Sequence, residues 1–215
     1  MNKLVKYILF TTTVAIAFTG CAQSSLNYTP PSNFSAEKIP TSKIVNKEYG
    51  KAWDELVNNL TDNSFVINNM SKDSGFINIS FSASNPNTYV DCGRWTGYFK
   101  NLRGEATYNF SGAESARFTT MNGTTMINVE SNKSLSGRAN ILLQKIETKK
   151  QKMKVNVKYV LTGTNKNMVV YPAQTHYQNW TVGFSSHEKG QTQMGQTQCQ
   201  TTGILETELL NYIAD

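Results

Sequence analysis

The sequence predicts an α+β domain in which one helix leads into a long antiparallel sheet of meandering hairpins and a second helix packs back on that sheet. Two patterns lead there. Apolar residues recur at three- and four-residue steps near the start of the domain and again at its end. Between those stretches, segment after segment alternates apolar with polar residues or is rich in β-branched and aromatic ones.

The first helical stretch is Lys47 to Asp62, KEYGKAWDELVNNLTD. Tyr49, Ala52, Trp53, Leu56, Val57 and Leu60 share one face, Asn46 stands where an N-cap is wanted, and Asn63 can close the end in the left-handed conformation. A hairpin follows, Ser64–Met70 and Phe76–Phe81, around the turn-forming Ser71-Lys72-Asp73-Ser74-Gly75. Residues 82–90 read as a loop. Strand-like segments then fall near 94–100, 105–110, 114–121, 124–131, 137–147, 152–162, 167–172 and 177–185. Ser111-Gly112, Asn122-Gly123 and Thr162-Gly163-Thr164-Asn165 separate them as turns, Asn122-Gly123 being the sharpest hairpin signal. Val155, Val157, Tyr159 and Leu161 form the clearest half-buried strand, with Trp180, Val182 and Phe184 a later one. Residues 188–198 (EKGQTQMGQTQ) read as a polar, mobile loop. After Cys199 the chain ends in TTGILETELLNYI, where Leu205, Leu209, Tyr212 and Ile213 share a face, Thr202 or Gly203 caps, and Glu206 and Glu208 suit the positive end of the helix dipole.

Ahead of this domain lie two other kinds of sequence. Lys3 and Lys6 form a basic head, Tyr7–Phe18 is uncharged and apolar, and Thr19-Gly20 is a small-residue exit. That order is a secretory signal, and its apolar run falls short of the ~20 residues a spanning helix needs. Phe18-Thr19-Gly20-Cys21 resembles the bacterial lipobox, with Phe18 in place of the usual Leu. The resemblance implies cleavage of residues 1–20 and acylation of Cys21, an anchor that is effectively permanent once more than one chain is attached. Ala22, not Asp, follows the cysteine, which in enteric-type sorting implies the outer membrane. Residues 21–43 are rich in Ser, Asn, Pro and Thr and read as a lipidated flexible tether. Such a tether reaches about 25 Å typically and about 70 Å at full stretch. Residues 44–215 form the single periplasmic domain.

Removing Lys3 and Lys6 with the signal lowers the net charge from +6 to +4. The densest basic stretch, Lys145 to Lys158, reads as a solvated hairpin tip, and no basic run is interleaved with stacking aromatics as a nucleic-acid module requires. Two cysteines remain beyond Cys21. An oxidising compartment and an even count favour a disulfide between Cys92 and Cys199, two buried thiols or a pairing with another protein being the alternatives.

Val45 to Ile67, V-x-x-x-Y-x-x-A-W-D-E-L-V-x-x-L-x-x-x-x-F-V-I, followed by S-G-F-I-N-I-S-F from Ser74 to Phe81, resembles the opening of the helix-grip domains in BamC-like envelope lipoproteins. The likeness covers about 40 residues, a fifth of the chain. It implies a helix-grip fold and a place in an envelope assembly.

Chemistry is not visible. Asp91 and Arg94 flank Cys92, His176 lies near Tyr171, Tyr177 and Trp180, and Glu206 and Glu208 share a helix, but none of these completes a catalytic constellation. There is no G-x-S-x-G, H-E-x-x-H, phosphate loop or calcium loop. The reading is therefore a non-catalytic lipoprotein, without cofactor or metal, that acts as a scaffold or accessory subunit of an envelope assembly through protein-protein contacts. Its partners are the lipid bilayer, through Cys21, and an envelope protein. Carriage of an apolar ligand in the sheet-helix grip is the alternative.

Overall fold

Period-two alternation is the strongest signal in this chain, and it builds more sheet than expected. The computed structural model describes residues 22–32, 35–63, 65–192 and 197–214. The signal segment and Cys21 lie outside the described residues. Strand makes up 60% and helix 15%, so the α+β expectation is corrected to a mostly-β fold. The reason lies in how the sheet is covered: helices cover one part of it, and a second small sheet covers the rest.

In chain order the strands and helices are β1 (Gln23–Thr29), β2 (Ser42–Val45), α1 (Tyr49–Asp62), β3 (Val66–Ser71), β4 (Phe76–Ala83), β5 (Val90–Asp91), β6 (Arg94–Asn101) and β7 (Gly104–Ser111). These are followed by β8 (Ala116–Asn122), β9 (Thr125–Glu147), β10 (Lys150–Val169), β11 (Gln174–Ser185), β12 (Gly190–Gln191), β13 (Gln198–Thr201) and α2 (Ile204–Leu210). The spine is the antiparallel pair β9 and β10, 23 and 20 residues long. Each shares its other edge between two shorter strands. Along β9, β8 pairs over 125–131 and β4 over 135–142. Along β10, β2 pairs over 151–154 and β11 over 158–169. With β3 outside β4, this is one seven-stranded sheet. A separate sheet runs β1-β6-β7, and β12-β13-β5 form a small third one.

Odd-numbered residues of β9 and β10 point inward. At the far end, Ala139, Ile141, Leu143, Met153, Val155 and Val157 are buried with Trp53, Leu56 and Leu60 of α1 and Leu205 and Leu209 of α2. At the near end the same faces meet β1-β6-β7 through Phe118 of β8, whose ring stacks on Phe110 of β7 at 5.4 Å.

Several expectations change. Segments 124–131 and 137–147 fall in one strand, as do 152–162 and the first part of 167–172, up to Val169, so Thr162-Gly163-Thr164-Asn165 lies inside β10 and is no turn. The reason is at Gly163: a Cβ there would stand 2.1 Å from the Trp180 ring, so the glycine admits the indole across the strand. The Asn122-Gly123 hairpin forms, with Asn122 paired to Thr125 and Gly123, at φ 60°, first of the two turn residues. The tether over 21–43 is corrected too, because Gln23–Thr29 pairs with β6 along its whole length. Leu26 and Tyr28 supply the apolar alternation that its polar composition hid, and Tyr28 packs on Trp95 with ring centroids 4.9 Å apart. Gln191 and Gly190 pair with Gln198 and Cys199 within the stretch read as a loop. Helix α1 starts after Glu48, too late for Asn46 to cap it, and Asn63 stays at φ −91°, using its side-chain amide to reach the Asn59 carbonyl at 2.9 Å.

Cys92 and Cys199 are joined as a disulfide across 107 residues, beside the pairing of β5 with β13. It fastens the strand that leads into the small sheet to the strand that leads into α2. Among the described residues no helix is long and apolar enough to cross a membrane.

Candidate functional site

On the inward face of β9 the apolar sequence is interrupted where the cover changes from helix to sheet. Val129 and Leu135 are buried and apolar, but Ser131 and Lys133 stand between them. Opposite lie Asn165 and Gly163 of β10, then Gln178 and Trp180 of β11. The small sheet contributes Leu26, Trp95 and Phe110, and β8 contributes Phe118. These side chains enclose a cavity of about 160 Å³ between the two sheets.

Each wall has a local cause. Trp95 and Phe110 are cross-strand partners on β6 and β7, and Gly97 two residues on lets β1 approach, since a Cβ there would meet the Ser25 carbonyl at 2.2 Å. Gly112 similarly lies against the Cys92 carbonyl, which brings the end of β7 to the disulfide. Tyr28 closes this side, its hydroxyl 3.2 Å from the Cys92 carbonyl and accepting from the Gln198 amide at 2.8 Å. Trp180 lies over Gly163, between Lys133 and the β11 edge.

Lys133 is the charged group of the cavity. Its ammonium donates to the Glu114 carbonyl and sits 5.9 Å from the centre of the Phe110 ring. Burial pulls its pKa down to about 8, against the opposing pull of the Glu114 charge. No Asp or Glu side chain lines the cavity among the described residues. An ammonium beside the Phe110 ring, in a cavity whose lining holds aromatic faces and no carboxylate, suits an anion carried on a flat or branched apolar body.

Lys133, Trp95, Phe110 and Phe118 carry no local motif in the sequence. Their common signal is inward parity, and it shows only when β9 is read as one uninterrupted strand, which puts a lysine in register with Val129 and Leu135. Of the residues marked in the sequence, the structure brings Trp180 alone into the cavity. Tyr177 is exposed on the opposite face of β11, Tyr171 is exposed in the turn before it, and His176 is exposed beside Gln174. Asp91 accepts from the Gly93 amide at 2.9 Å, and Arg94 reaches outward to Asn109 at 2.7 Å. Cys92 is engaged with Cys199. Glu206 is fully buried at the start of α2, where Thr201 Oγ1 hydrogen-bonds both its carboxylate at 3.1 Å and the Tyr159 hydroxyl at 3.2 Å. Burial, then the Glu206 charge, pushes the Tyr159 phenol well above its usual range. Glu208 instead receives the Tyr212 hydroxyl at 3.1 Å.

Leu56, Leu60, Ile141, Leu143, Met153, Leu205 and Leu209 pack between the helices and the sheet, and at the edge of that interface Phe65, Phe81, Tyr89, Leu205 and Glu208 line an open cleft. The basic stretch divides: Lys149 and Lys150 sit at the β9–β10 turn and Lys154 and Lys158 are exposed on the outer face of β10, while Lys145 lies over the Tyr49 ring at 4.3 Å. No protein-family model, curated protein or solved structure matches this chain.

Proposed function

We propose that this chain is an outer-membrane lipoprotein, anchored through acylated Cys21, that binds a small apolar anion between its two sheets and does no chemistry on it. The observation that carries the binding reading is Lys133, an inward-facing ammonium among Trp95, Phe110, Phe118 and Trp180. A lysine at a core position costs folding free energy unless something gains by it, and a bound carboxylate gains a charge-assisted hydrogen bond there. The cavity size suits one ring or a short branched chain. Titration with benzoate, followed by the emission of Trp95 and Trp180, should saturate, and Lys133→Met should weaken binding about tenfold or more. Equal binding by that variant, or no saturation, overturns the reading. Native mass spectrometry of protein taken from membranes identifies the physiological ligand.

A second reading, a scaffold that docks an envelope protein, is favoured by the edge strand β3. Val66 is 62% and Met70 52% exposed on the free edge of the seven-stranded sheet, where an incoming strand could add. A photo-crosslinking residue at Met70 should capture one dominant protein in cells; failure to capture any removes this reading.

A further inference from the structure

We infer that the end of the molecule where the described chain begins is a membrane-contact face, which presses three hairpin turns onto the bilayer beside the lipid anchor. The inference rests on acylation of Cys21. Cys21 stands two residues before Gln23, so the attachment point lies within about 7 Å of the start of β1. It has no long tether. Gln23 pairs with Lys100, and the Tyr98 hydroxyl lies 3.4 Å from the Gln23 side-chain oxygen, so the β6–β7 turn lies close to the anchor. That turn carries Leu102, 82% exposed, with the exposed Arg103 beside it.

The next turns line up at the same end. The Met121 amide donates to Ser24 Oγ at 2.9 Å, which places the β8–β9 turn beside the start of β1. Met121 pairs with Met126, and the Met126 carbonyl accepts from the Val170 amide at 3.1 Å. Val170 and Tyr171, 43% and 87% exposed, therefore top the β10–β11 turn in the same row. An exposed leucine, an exposed tyrosine and an arginine at turn tips are the residue types that settle at the headgroup boundary, the apolar ones dipping in and the arginine meeting anionic lipid. A bilayer is the occupant that fits, because the acyl chains bring it to this end and to no other. The opposite end, at the β9–β10 turn, is removed by the contour of β9, roughly 70 Å of strand.

The full-length protein, purified from cells and reconstituted in phosphatidylethanolamine–phosphatidylglycerol vesicles, tests this. Variants with one added cysteine, Leu102→Cys, Tyr171→Cys and Lys149→Cys, each carry an environment-sensitive dye on the new thiol, and brominated lipid serves as quencher. The dyes at 102 and 171 should shift to the blue and lose emission in brominated vesicles, while the dye at 149 keeps both its wavelength and its intensity. Mass spectrometry of the same samples reads the acyl chains on Cys21. Acylated protein with dyes at 102 and 171 no more quenched than at 149 overturns the membrane face alone. Protein without acyl chains on Cys21 overturns the anchor and this face with it.

Discussion

The far and near ends of β9 and β10 belong to the same two strands, yet they are covered in different ways. At the far end α1 and α2 lay leucines onto the sheet, and Leu56, Leu60, Ile141 and Leu209 have no exposed surface. At the near end β1-β6-β7 lays rings on the sheet and leaves a cavity of about 160 Å³ with a lysine in its wall. Flexible aliphatic chains on a helix interdigitate into whatever space the sheet leaves. Flat rings stacked at 5.4 Å between two pleated surfaces bridge a gap without filling it. Stability and binding capacity are thus separated along one pair of strands.

Cutting the link between the two covers should have the largest effect. The Cys92–Cys199 bond ties the entry to the small sheet to the entry to α2, and a loop of that length carries about 4–5 kcal/mol of chain entropy. Cys92→Ser and Cys199→Ser should each lower the unfolding free energy by about that amount in urea, and equally, because either removes one bond. Unequal losses would show that one of the sulfurs has a second role.

Next comes the contrast between the ends. Leu56→Ala empties a sealed space and should cost about 3 kcal/mol. Phe118→Ala, at the half-open wall, loses a ring already facing a cavity and should cost nearer 1.5 kcal/mol while weakening benzoate binding. Thr201→Val sharpens the point. It strips the buried hydroxyl shared by Glu206 and Tyr159 and should cost about 2–3 kcal/mol with binding unchanged. If the two losses from Leu56→Ala and Phe118→Ala match, the ends do not differ in packing.

The filled end was the more legible in sequence. Three- and four-residue steps in α1 and strict alternation in 153–161 name its residues directly, since every inward position there is apolar. The cavity was not legible, because its lining comes from seven strands and no local motif gathers it. Gly163 was the most misleading residue. In sequence a glycine among threonines and an asparagine marks a turn, but here the missing Cβ makes room for an indole that arrives from fifteen or more residues away. That misreading split β10, and a separate break at 132–136 split β9 and with it the parity that puts Lys133 inward. β1 was hidden for a different reason: serine and asparagine on its polar face outweigh Leu26 and Tyr28 in any count of composition, though not in alternation. Lys133 in particular breaks the rule that inward positions are apolar, and such breaks gather at functional sites.

The smallest effect separates the ends by pH. Lys133 has a folded pKa of about 8, below the ordinary lysine value of 10.5. Between those values the unfolded chain holds a proton that the folded chain has released, so stability should rise as the pH climbs from about 8 towards 10.5. The gain should be on the order of 1–2 kcal/mol after solvent screening, and Lys133→Met should abolish it and be more stable than the parent at pH 7 by a similar amount. Tyr159, at the boundary with the filled end, has the opposite sign. Its raised pKa gives stability that is fully present below pH 10 and is lost as the pH rises further. Burial raises Tyr28, Tyr49, Tyr89 and Tyr212 in the same direction, so the window from pH 8 to about 9, below tyrosine titration in the unfolded chain, is the one that reports on the cavity. Over that window benzoate affinity should fall as Lys133 loses its proton, while urea stability of the empty protein rises. Affinity and stability moving together there would mean that the titrating group is not the one that meets the anion.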